Sequence, residues 1–415
     1  MITTAPATRH QPNLMADLAP APASHTVRQI THDAQALTLH WDDDRVSRFE
    51  AIWLRDNCPC PSCRHPQAIE RLYMFIDHEL PRISQVVQSA ADVLEMHFSQ
   101  GTEQHVSRFG THWLRQHCYS SAARKETKTE RVLWDAGLNG SVPTVDFEAY
   151  MGTDEGMRAW IEAIRIHGIV LLQGVPQEPG KLLEVARRIG PVRHTNFGDH
   201  YDVISMPNPN AVAYTALGLE LHHDLVNWRF PPDVQMLSCL KSSVTGGESL
   251  FADGFRVAED LRTQNPEAFA LLSQQLVEFR FQDADTDIRA TAPMLALDAH
   301  GQLTRMRFNN WLRSSLKVSE ERVLPMYEAI AALWALLRDS RYHLTMKLQP
   351  GELIAYDNNR VLHGRKSFDP SSGERHLQGC YMNMEDLDSA LRLLERRASF
   401  PREADYPQAD NELRP

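Results

Sequence analysis

The most informative part of this chain is the segment Asp357–Tyr381, which carries a histidine and an arginine at the ends of strand-like runs. His363 follows the apolar pair Val361-Leu362, and Arg375 opens a second such run twelve residues later. The polar stretch between them contains the proline and glycine that turns favour. The pattern predicts a hairpin that holds a metal ligand beside an anion-binding arginine. The alternative is a surface hairpin whose histidine and arginine are merely solvated.

A second histidine feature is the motif His-x-Asp. With 19 histidines and 54 acidic residues in 415, random order gives about 2.5 matches to His-x-Asp/Glu, so the motif alone is weak. Three matches occur in this chain: His40/Asp42, His200/Asp202 and His222/Asp224. Only the last lies between an apolar region, Ala213–Leu221, and a predicted core strand, Val234–Leu240.

Residues i and i+2 of a strand point to the same side. Two imidazoles and one carboxylate on one face are the ligand set of mononuclear iron(II) oxygenases. His222 and Asp224 can therefore supply two of these ligands, and His363 is the candidate for the third. The neighbouring His223 would point to the opposite face of such a strand and is left out.

Three cysteines lie within six residues, at Cys58, Cys60 and Cys63, on a proline-rich turn. Thiolates and imidazoles in tetrahedral sets of four bind structural Zn²⁺. The candidates for the fourth ligand are His65, His97, His105 and Cys118. His105 is preferred because it lies on a predicted hairpin of the same domain, whereas ring strain disfavours His65. The alternative is three buried or oxidised cysteines.

Composition narrows the class of protein. The hydrophobic content of 42% and charged content of 23% are ordinary for a globular chain, and the net charge of −11 argues against a nucleic-acid partner. No apolar run approaches the roughly 18 residues that a membrane helix requires, and residues 1–25 lack the hydrophobic stretch of a signal peptide. The six cysteines do not resemble a secreted disulfide framework. We expect a cytoplasmic protein without a membrane partner.

Two folded domains are predicted. They are a small β-rich zinc-binding domain at 26–120 and a larger domain at 142–398, joined by a charged connector at 121–141. A disordered tail at 1–25 precedes them, and a second tail at 399–415 follows. In the larger domain, many strands with inserted helices replace strict βαβ alternation. This pattern predicts a mainly β, α+β fold: an antiparallel barrel or jelly roll with helical decoration.

Three motifs resemble those of the γ-butyrobetaine and trimethyllysine hydroxylase family. They are P-G-E-L-I-A-Y-D-N-N-R-V-L-H-G-R at Pro350–Arg365, R-H-L-Q-G-C-Y at Arg375–Tyr381 and W-L-R-D-N-C-P-C-P-S-C at Trp53–Cys63. The resemblance runs from about residue 26 to residue 398, with the motifs in the family's order. It places His105 at the fourth zinc ligand.

The resemblance implies an iron(II)- and 2-oxoglutarate-dependent dioxygenase with a double-stranded β-helix core. His222, Asp224 and His363 match the iron ligands, and Arg375 matches the arginine that pairs with the distal carboxylate of 2-oxoglutarate. The turn Thr245–Ser249 matches the position of a hydroxyl on the same carboxylate, and Ser249 is the candidate. Oxygen is the co-substrate, ascorbate the expected reductant, and relatives suggest a homodimer.

The family's substrates carry a trimethylammonium group, which has no N–H and is held by aromatic faces. Four positions match the family's aromatic cage: Phe197, Tyr201, Tyr214 and Tyr381. Asn310 matches one carboxylate-binding asparagine, but Ala211 replaces a second, although Asn210 is adjacent. The best single substrate is γ-butyrobetaine, hydroxylated to L-carnitine.

The alternatives are 2-trimethylaminoethylphosphonate, with Arg229 or Arg313 on its anion, trimethyllysine, or a catalytically silent binding protein of the same fold. Under the phosphonate and γ-butyrobetaine hypotheses, the end of the substrate opposite its trimethylammonium group is an anion. A silent protein would have no need for a complete ligand set, His222, Asp224 and His363, together with Arg375.

Overall fold

The computed structural model describes residues 25–65, 68, 70–121, 123, 131–204 and 216–399. The chain divides into two compact units, one formed by Met1–Lys128 with Leu393–Pro415 and the other by Thr129–Arg392. The predicted tails, 1–25 and 399–415, lie almost entirely outside the described residues. The predicted connector, 121–141, spans the division, and its Trp134 is buried in a core cluster of the second unit.

In its described part, the first unit holds two antiparallel three-stranded sheets, each followed by a short helix. The strands are β1 Val27–His32, β2 Ala36–Trp41, β3 Val46–Glu50, β4 Arg82–Ala90, β5 Val93–Gln100 and β6 Glu103–Gly110; the helices are α1 Ala51–Asp56 and α2 Thr111–Gln116. The sheet orders are β1-β2-β3 and β4-β5-β6. The hairpin predicted around Gln100 and Gly101 is confirmed as β5–β6, and it carries His105 on β6.

The second unit contains most of the regular structure. Its strands are β7 Thr144–Asp146, β8 Ile169–Gln173, β9 His200–Val203, β10 Leu219–His222, β11 Val234–Ser242, β12 Thr245–Gly246, β13 Ser249–Asp253, β14 Leu276–Gln282, β15 Asp287–Pro293, β16 Leu295–Leu297, β17 Leu303–Met306, β18 Leu344–Met346, β19 Glu352–Asp357, β20 Val361–Arg365, β21 Phe368–Asp369 and β22 Arg375–Met382. Its helices are α3 Phe147–Gly152, α4 Asp154–His167, α5 Lys181–Arg187, α6 Gly254–Gln264, α7 Pro266–Gln274 and α8 Glu320–Arg338, and α9 Met384–Ser399 begins in it.

Two larger sheets form the centre of the second unit. One has the order β7-β8-β19-β11-β22-β9 and the other the order β10-β20-β13-β18. A single apolar cluster contains Leu237 and Ile354 from the first sheet and Phe251 and Val361 from the second. The two sheets therefore share a core layer. The alternation of apolar residues sets which face of each strand is buried. A polar residue on such a buried face is therefore an exception that needs an explanation.

The predicted hairpin between Val361 and Tyr381 is wrong. β20 lies in the four-stranded sheet beside β10 and β13, whereas β22 lies in the six-stranded sheet beside β11 and β9. The polar segment between them therefore crosses from one sheet to the other. His363 and Arg375 therefore lie on two different sheets.

Helices α6, α7 and α8 cover the four-stranded sheet. Their buried side chains, among them Phe255, Leu272 and Leu333, form one apolar cluster with Leu221 of β10 and Leu362 of β20. This cluster buries one face of the strands that carry His222 and His363. In the part of the chain that the structure describes, no helix has the length and apolar character needed to cross a membrane.

Candidate metal centres and substrate cavity

His222, Asp224 and His363 converge at the end of the four-stranded sheet. His222 is the last residue of β10 and is the register partner of His363 on β20, with ring centroids 4.3 Å apart. Oδ1 of Asp224 lies 3.4 Å from Nε2 of His222 and 3.8 Å from Nε2 of His363. One ligand atom from each residue lies within 4.8 Å of the others, so the predicted triad can bind a single ion.

The local conformation differs from the extended strand that the His-x-Asp argument assumed. β10 ends at His222, and Leu225 has a left-handed φ of 54°. Such a φ costs a non-glycine residue about 1–3 kcal/mol. Asn358 holds the turn, because its side chain accepts a hydrogen bond from the Asp224 amide and donates to the Asp224 carbonyl, both at 3.0 Å.

The electrostatics of the triad favour a cation. Nδ1 of His222 donates to the carbonyl of Glu220 at 2.9 Å, which turns Nε2 towards the cluster. Burial lowers the pKa of His363 to about 3, so its imidazole is neutral and can donate a lone pair. Burial would raise the pKa of Asp224, but the hydrogen bonds that it accepts from His222 and from the hydroxyl of Tyr381 help to lower that pKa, and the carboxylate is ionised.

A cavity of about 530 Å³ opens beside His222 and Asp224. Tyr201 and Tyr381, both predicted for the aromatic cage, line it with rings stacked at 5.4 Å. Phe197, the third predicted aromatic residue, lies 6.3 Å from the ring of Tyr201. The structure therefore brings three of the four cage residues into the lining of one cavity. The fourth, Tyr214, lies outside the described residues together with Asn210 and Ala211.

One glycine makes this aromatic lining possible. Gly379 of β22 is the register partner of Tyr201 on β9. A Cβ atom at Gly379 would lie 2.4 Å from Cζ of Tyr201, so any side chain would displace the phenol ring. Sequence reasoning did not single out Gly379, nor Phe281, which also lines the cavity and whose ring lies 5.8 Å from that of Phe197.

The cavity lining also contains polar side chains. Asn309, Trp311 and Arg313 line it, but Asn310 does not. The Oδ1 atom of Asn310 instead accepts from Nε and Nη2 of Arg313, at 3.4 and 3.3 Å. Arg280, a second arginine of the lining, forms a bidentate pair with Asp287. Arg313 has no carboxylate partner among the described residues, so its charge is available to an anion.

Arg375, predicted to bind a carboxylate, has neither an ion pair nor a hydrogen bond with any described side chain. Its guanidinium lies near the ring of Phe368 and close to Gly247, where a Cβ atom would be 3.5 Å from its Nε. Burial lowers the pKa of Arg375, because a desolvated cation is destabilised. Ser249 is buried on β13, in register with Arg365 of β20.

The predicted zinc ligands also come together. Nε2 of His105 lies 3.2, 3.8 and 3.6 Å from the sulfur atoms of Cys58, Cys60 and Cys63. All six cysteines of the chain are unpaired and buried, so oxidised cysteines do not describe this cluster. Hydrogen bonds from Cys58 and Cys63 lower the pKa of the Cys60 thiol, which favours the thiolate that a metal needs.

A buried arginine lies beside the cysteine cluster. Nη1 of Arg55 lies 3.1 Å from the sulfur of Cys63, and its Nε donates to Gln100 at 3.0 Å. The guanidinium lies 3.7 Å from the ring centroid of Tyr73, whose hydroxyl accepts from Gln100 at 2.8 Å. A cation beside a thiolate cluster offsets its negative charge. The four-ligand set leaves no open position, which is typical of a structural site.

Comparison with known proteins agrees with this geometry. Residues 133–381 match the model of the taurine catabolism dioxygenase TauD, TfdA family. The chain belongs to this dioxygenase family. Residues 28–106 match the N-terminal region of gamma-butyrobetaine hydroxylase-like proteins. The TauD, TfdA match covers the two central sheets and includes His222, Asp224, His363 and Arg375.

Three curated relatives that match most of this chain are dioxygenases. The gamma-butyrobetaine dioxygenase of Pseudomonas sp. (strain AK-1) is 38% identical over 92% of this chain and 100% of the relative. The gamma-butyrobetaine dioxygenase of Homo sapiens is 33% identical over 88% and 95%. The mitochondrial trimethyllysine dioxygenase of Gallus gallus is 31% identical over 86% and 85%. The resemblance inferred from the motifs is thereby confirmed, and this TauD, TfdA protein is an enzyme.

Sequence reasoning missed the residues that hold the triad in place. Asn358 lies in the motif next to His363 but received no role. Gln235 is a lone amide in the apolar strand β11, and it is 1% exposed. A polar residue within a core strand is the one indication that could have identified it, because buried polar groups need partners.

Proposed function

We propose that this dioxygenase hydroxylates a small trimethylammonium substrate in a reaction that depends on iron(II) and 2-oxoglutarate. The best candidate is the conversion of γ-butyrobetaine to L-carnitine. The observation that carries the proposal is the stacked pair Tyr201 and Tyr381, which lines the same cavity as His222 and Asp224. Relatives named gamma-butyrobetaine dioxygenase, matched over nearly their whole length, support the choice of substrate.

The donor set fits iron(II). His222, Asp224 and His363 supply two imidazoles and one carboxylate, and such a set leaves coordination positions for 2-oxoglutarate and oxygen. Arg375 fits the distal carboxylate of 2-oxoglutarate, because it is a half-buried cation without an anionic partner among the described residues. When bound, the iron supplies the oxidation, in which oxygen converts 2-oxoglutarate to succinate and carbon dioxide and hydroxylates the substrate.

The protein's own residues bind and orient. The aromatic faces of Tyr201, Tyr381 and Phe197 attract a quaternary ammonium, each by about 0.5–2 kcal/mol. Arg313, which lines the same cavity, binds the anionic end of the same substrate. With one anchor for the cation and one for the anion, the cavity can hold the substrate in a single orientation beside the triad, which is how a binding site selects the carbon that reacts.

We also propose that the two central sheets form a double-stranded β-helix within a catalytic domain at 142–398, joined by a connector at 121–141 to the zinc domain at 26–120. Zn²⁺ at Cys58, Cys60, Cys63 and His105 is structural. Ser249 assists Arg375, and ascorbate keeps the iron reduced. The cytoplasmic location and the homodimer stay predictions.

A phosphonate substrate is the second candidate. Arg313 is a cation that lines the cavity without a carboxylate partner in the described part of the chain, and 2-trimethylaminoethylphosphonate offers it a more highly charged anion than γ-butyrobetaine does. Trimethyllysine, named in the third relative, carries an ammonium beside its carboxylate, which makes the arginine less favourable for it.

Succinate formation from 2-oxoglutarate tests the proposal. The purified protein, supplied with iron(II) and ascorbate, is assayed with γ-butyrobetaine, 2-trimethylaminoethylphosphonate and trimethyllysine. We expect γ-butyrobetaine to stimulate succinate formation most strongly above the substrate-free rate. If none of the three stimulates it, the trimethylammonium proposal is wrong.

A carbon analogue provides the matched control. In 5,5-dimethylhexanoate a tert-butyl group replaces the trimethylammonium group at nearly the same size. If cation–π attraction holds the substrate, the loss of about 2 kcal/mol weakens binding roughly 30-fold. Equal competition by both compounds would show that the cavity recognises shape alone.

A further inference from the structure

Gln235 contacts both the metal triad and the aromatic cage. Its Nε2 atom lies 2.8 Å from Oδ2 of Asp224 and 2.8 Å from the hydroxyl of Tyr201. A side-chain amide has two N–H groups, so each contact can use one of them. One glutamine therefore donates both to the carboxylate of the metal triad and to an aromatic residue of the cage.

Gln235 is not the only side chain that donates to Oδ2 of the Asp224 carboxylate. The hydroxyl of Tyr381 donates to the same Oδ2 atom at 2.7 Å. Two donors thus occupy Oδ2, while Oδ1 faces the imidazoles of His222 and His363 at 3.4 and 3.8 Å. Hydrogen bonds to one oxygen fix the rotation of a carboxylate, so the other oxygen is presented to the ion.

The surroundings leave Gln235 little freedom. It is 1% exposed, and its register partners on the neighbouring strands are Tyr356 and Tyr381. Its Oε1 atom has no hydrogen-bond partner among the described residues. A buried amide that forgoes one of its own hydrogen bonds is costly to keep, which indicates a role beyond packing.

We propose that Gln235 is a positioning residue that ties the metal-binding carboxylate of Asp224 to the aromatic cage at Tyr201. Loss of its two donors weakens metal binding and binding of a quaternary ammonium together. The inference rests on the proposed function for the identity of both ligands. A glutamine that merely filled the core would affect stability without lowering these two affinities in parallel.

The test uses Gln235→Met, which keeps the volume and removes both N–H donors. The matched control is Gln378→Met on β22. Gln378 is also buried in the six-stranded sheet, and it donates to Asp202 and accepts from the Gly180 amide, but it does not contact Asp224. Both variants bury a thioether in place of a hydrogen-bonded amide, so they carry similar folding costs.

Two affinities are measured on the full chain, in addition to thermal unfolding. Mn(II) binding is followed by electron paramagnetic resonance, with His363→Ala identifying the part that belongs to the triad. Tetramethylammonium binding is followed by line broadening of its proton resonance. We expect Gln235→Met to weaken triad-dependent Mn(II) binding by roughly 10- to 100-fold, the usual effect of removing a group that orients a ligand, and to weaken tetramethylammonium binding as well.

The outcomes separate the inference from the proposed function. If Gln235→Met loses both affinities and Gln378→Met retains both, the connection is supported. If Gln235→Met binds Mn(II) as tightly as the unmodified chain, or if Gln378→Met loses as much, the inference is wrong while the metal site stands. If His363→Ala leaves Mn(II) binding unchanged in the unmodified background, the triad is not a metal site and both proposals are overturned.

Discussion

Arg360 forms a fully buried ion pair with Asp253, with 2.8 Å between Nη2 and Oδ2 and side-chain exposures of 1% and 0%. The same guanidinium donates to the carbonyls of Ile166 and Val132, and Asp253 accepts from the Trp134 amide. Arg360 lies three residues before His363. This pair therefore anchors the start of the strand that carries a metal ligand.

Asp253→Asn should destabilise the protein strongly. The change leaves the Arg360 charge buried without its counter-ion, a loss that costs about 3–5 kcal/mol. Chemical denaturation measures the free energy of unfolding. Lys241→Gln, which breaks the exposed pair with Glu374, is the control and should cost less than about 1 kcal/mol. Equal losses in the two variants would contradict this assignment.

His363→Ala should abolish succinate formation and remove the iron, because it deletes one of three ligands. The zinc content should stay unchanged, since Cys58, Cys60, Cys63 and His105 form a separate cluster. Metal analysis of the purified variant measures both. His200→Ala, taken from the competing His-x-Asp pair, should retain iron and activity. A parallel loss of zinc would show that the division into two metal sites is wrong.

Cys63→Ser should release the zinc and lower the stability of the N-terminal unit. Binding free energy at a structural zinc site is folding free energy, so we expect a loss of several kcal/mol and increased proteolysis between residues 25 and 121. Zinc content and limited proteolysis measure the two effects. Cys118→Ser changes another buried cysteine of the same unit and should keep the zinc. Retention of zinc by Cys63→Ser would exclude Cys63 as a ligand.

The side chains of the candidate sites were predictable because chemistry restricts their types. The ligands His222, Asp224 and His363 and the cluster around Cys58 come from residue types and spacings that the sequence displays directly. β11 was also predictable, since Val234–Leu240 is apolar with a single amide. The His-x-Asp pair and the three cysteines are each close in sequence, whereas His363 and His105 lie far from their partners along the chain. The structure brings all of these ligands together.

Pairing between distant segments was not predictable in the same way. β20 and β22 were expected to form one hairpin, but each pairs with strands far away in sequence. Register between such strands is decided by the faces that many residues bury together. For the same reason Gln235 was missed, because its partners Asp224 and Tyr201 lie on other segments. Asn310, expected at the cavity, is not one of its lining residues and instead accepts a hydrogen bond from Arg313.

Arg375→Lys should raise the KM for 2-oxoglutarate while leaving folding intact. Lysine keeps the charge but loses the planar pair of donors that matches a carboxylate, and charged hydrogen bonds of about 1.5–3 kcal/mol correspond to roughly 10- to 150-fold. Steady-state kinetics with varied 2-oxoglutarate measures the change. Arg289→Lys, at an exposed pair with Asp287, should leave KM unchanged. An unaltered KM in Arg375→Lys would remove Arg375 from the co-substrate site.

Arg313→Gln should weaken binding of substrates with an anionic end and spare those without one. Arg313 lines the cavity and has only the amide oxygen of Asn310 and the ring of Tyr327 as described partners, so a substrate carboxylate would supply its counter-ion. We expect the KM for γ-butyrobetaine to rise roughly tenfold. The inhibition constant of butyltrimethylammonium, which keeps the cation and lacks the carboxylate, should not change, because the aromatic faces of Tyr201 and Tyr381 are untouched.

Arg289→Gln serves as the matched variant, since Arg289 lies outside the cavity lining on β15 and should alter neither value. A rise in both the KM and the inhibition constant for Arg313→Gln would mean that Arg313 supports the cavity as a whole. A rise for γ-butyrobetaine alone would place the anionic end of the substrate at Arg313. The same variant then decides between the two anions: if Arg313 serves a phosphonate, its loss should affect 2-trimethylaminoethylphosphonate more than γ-butyrobetaine, because the doubly charged group depends more strongly on a guanidinium.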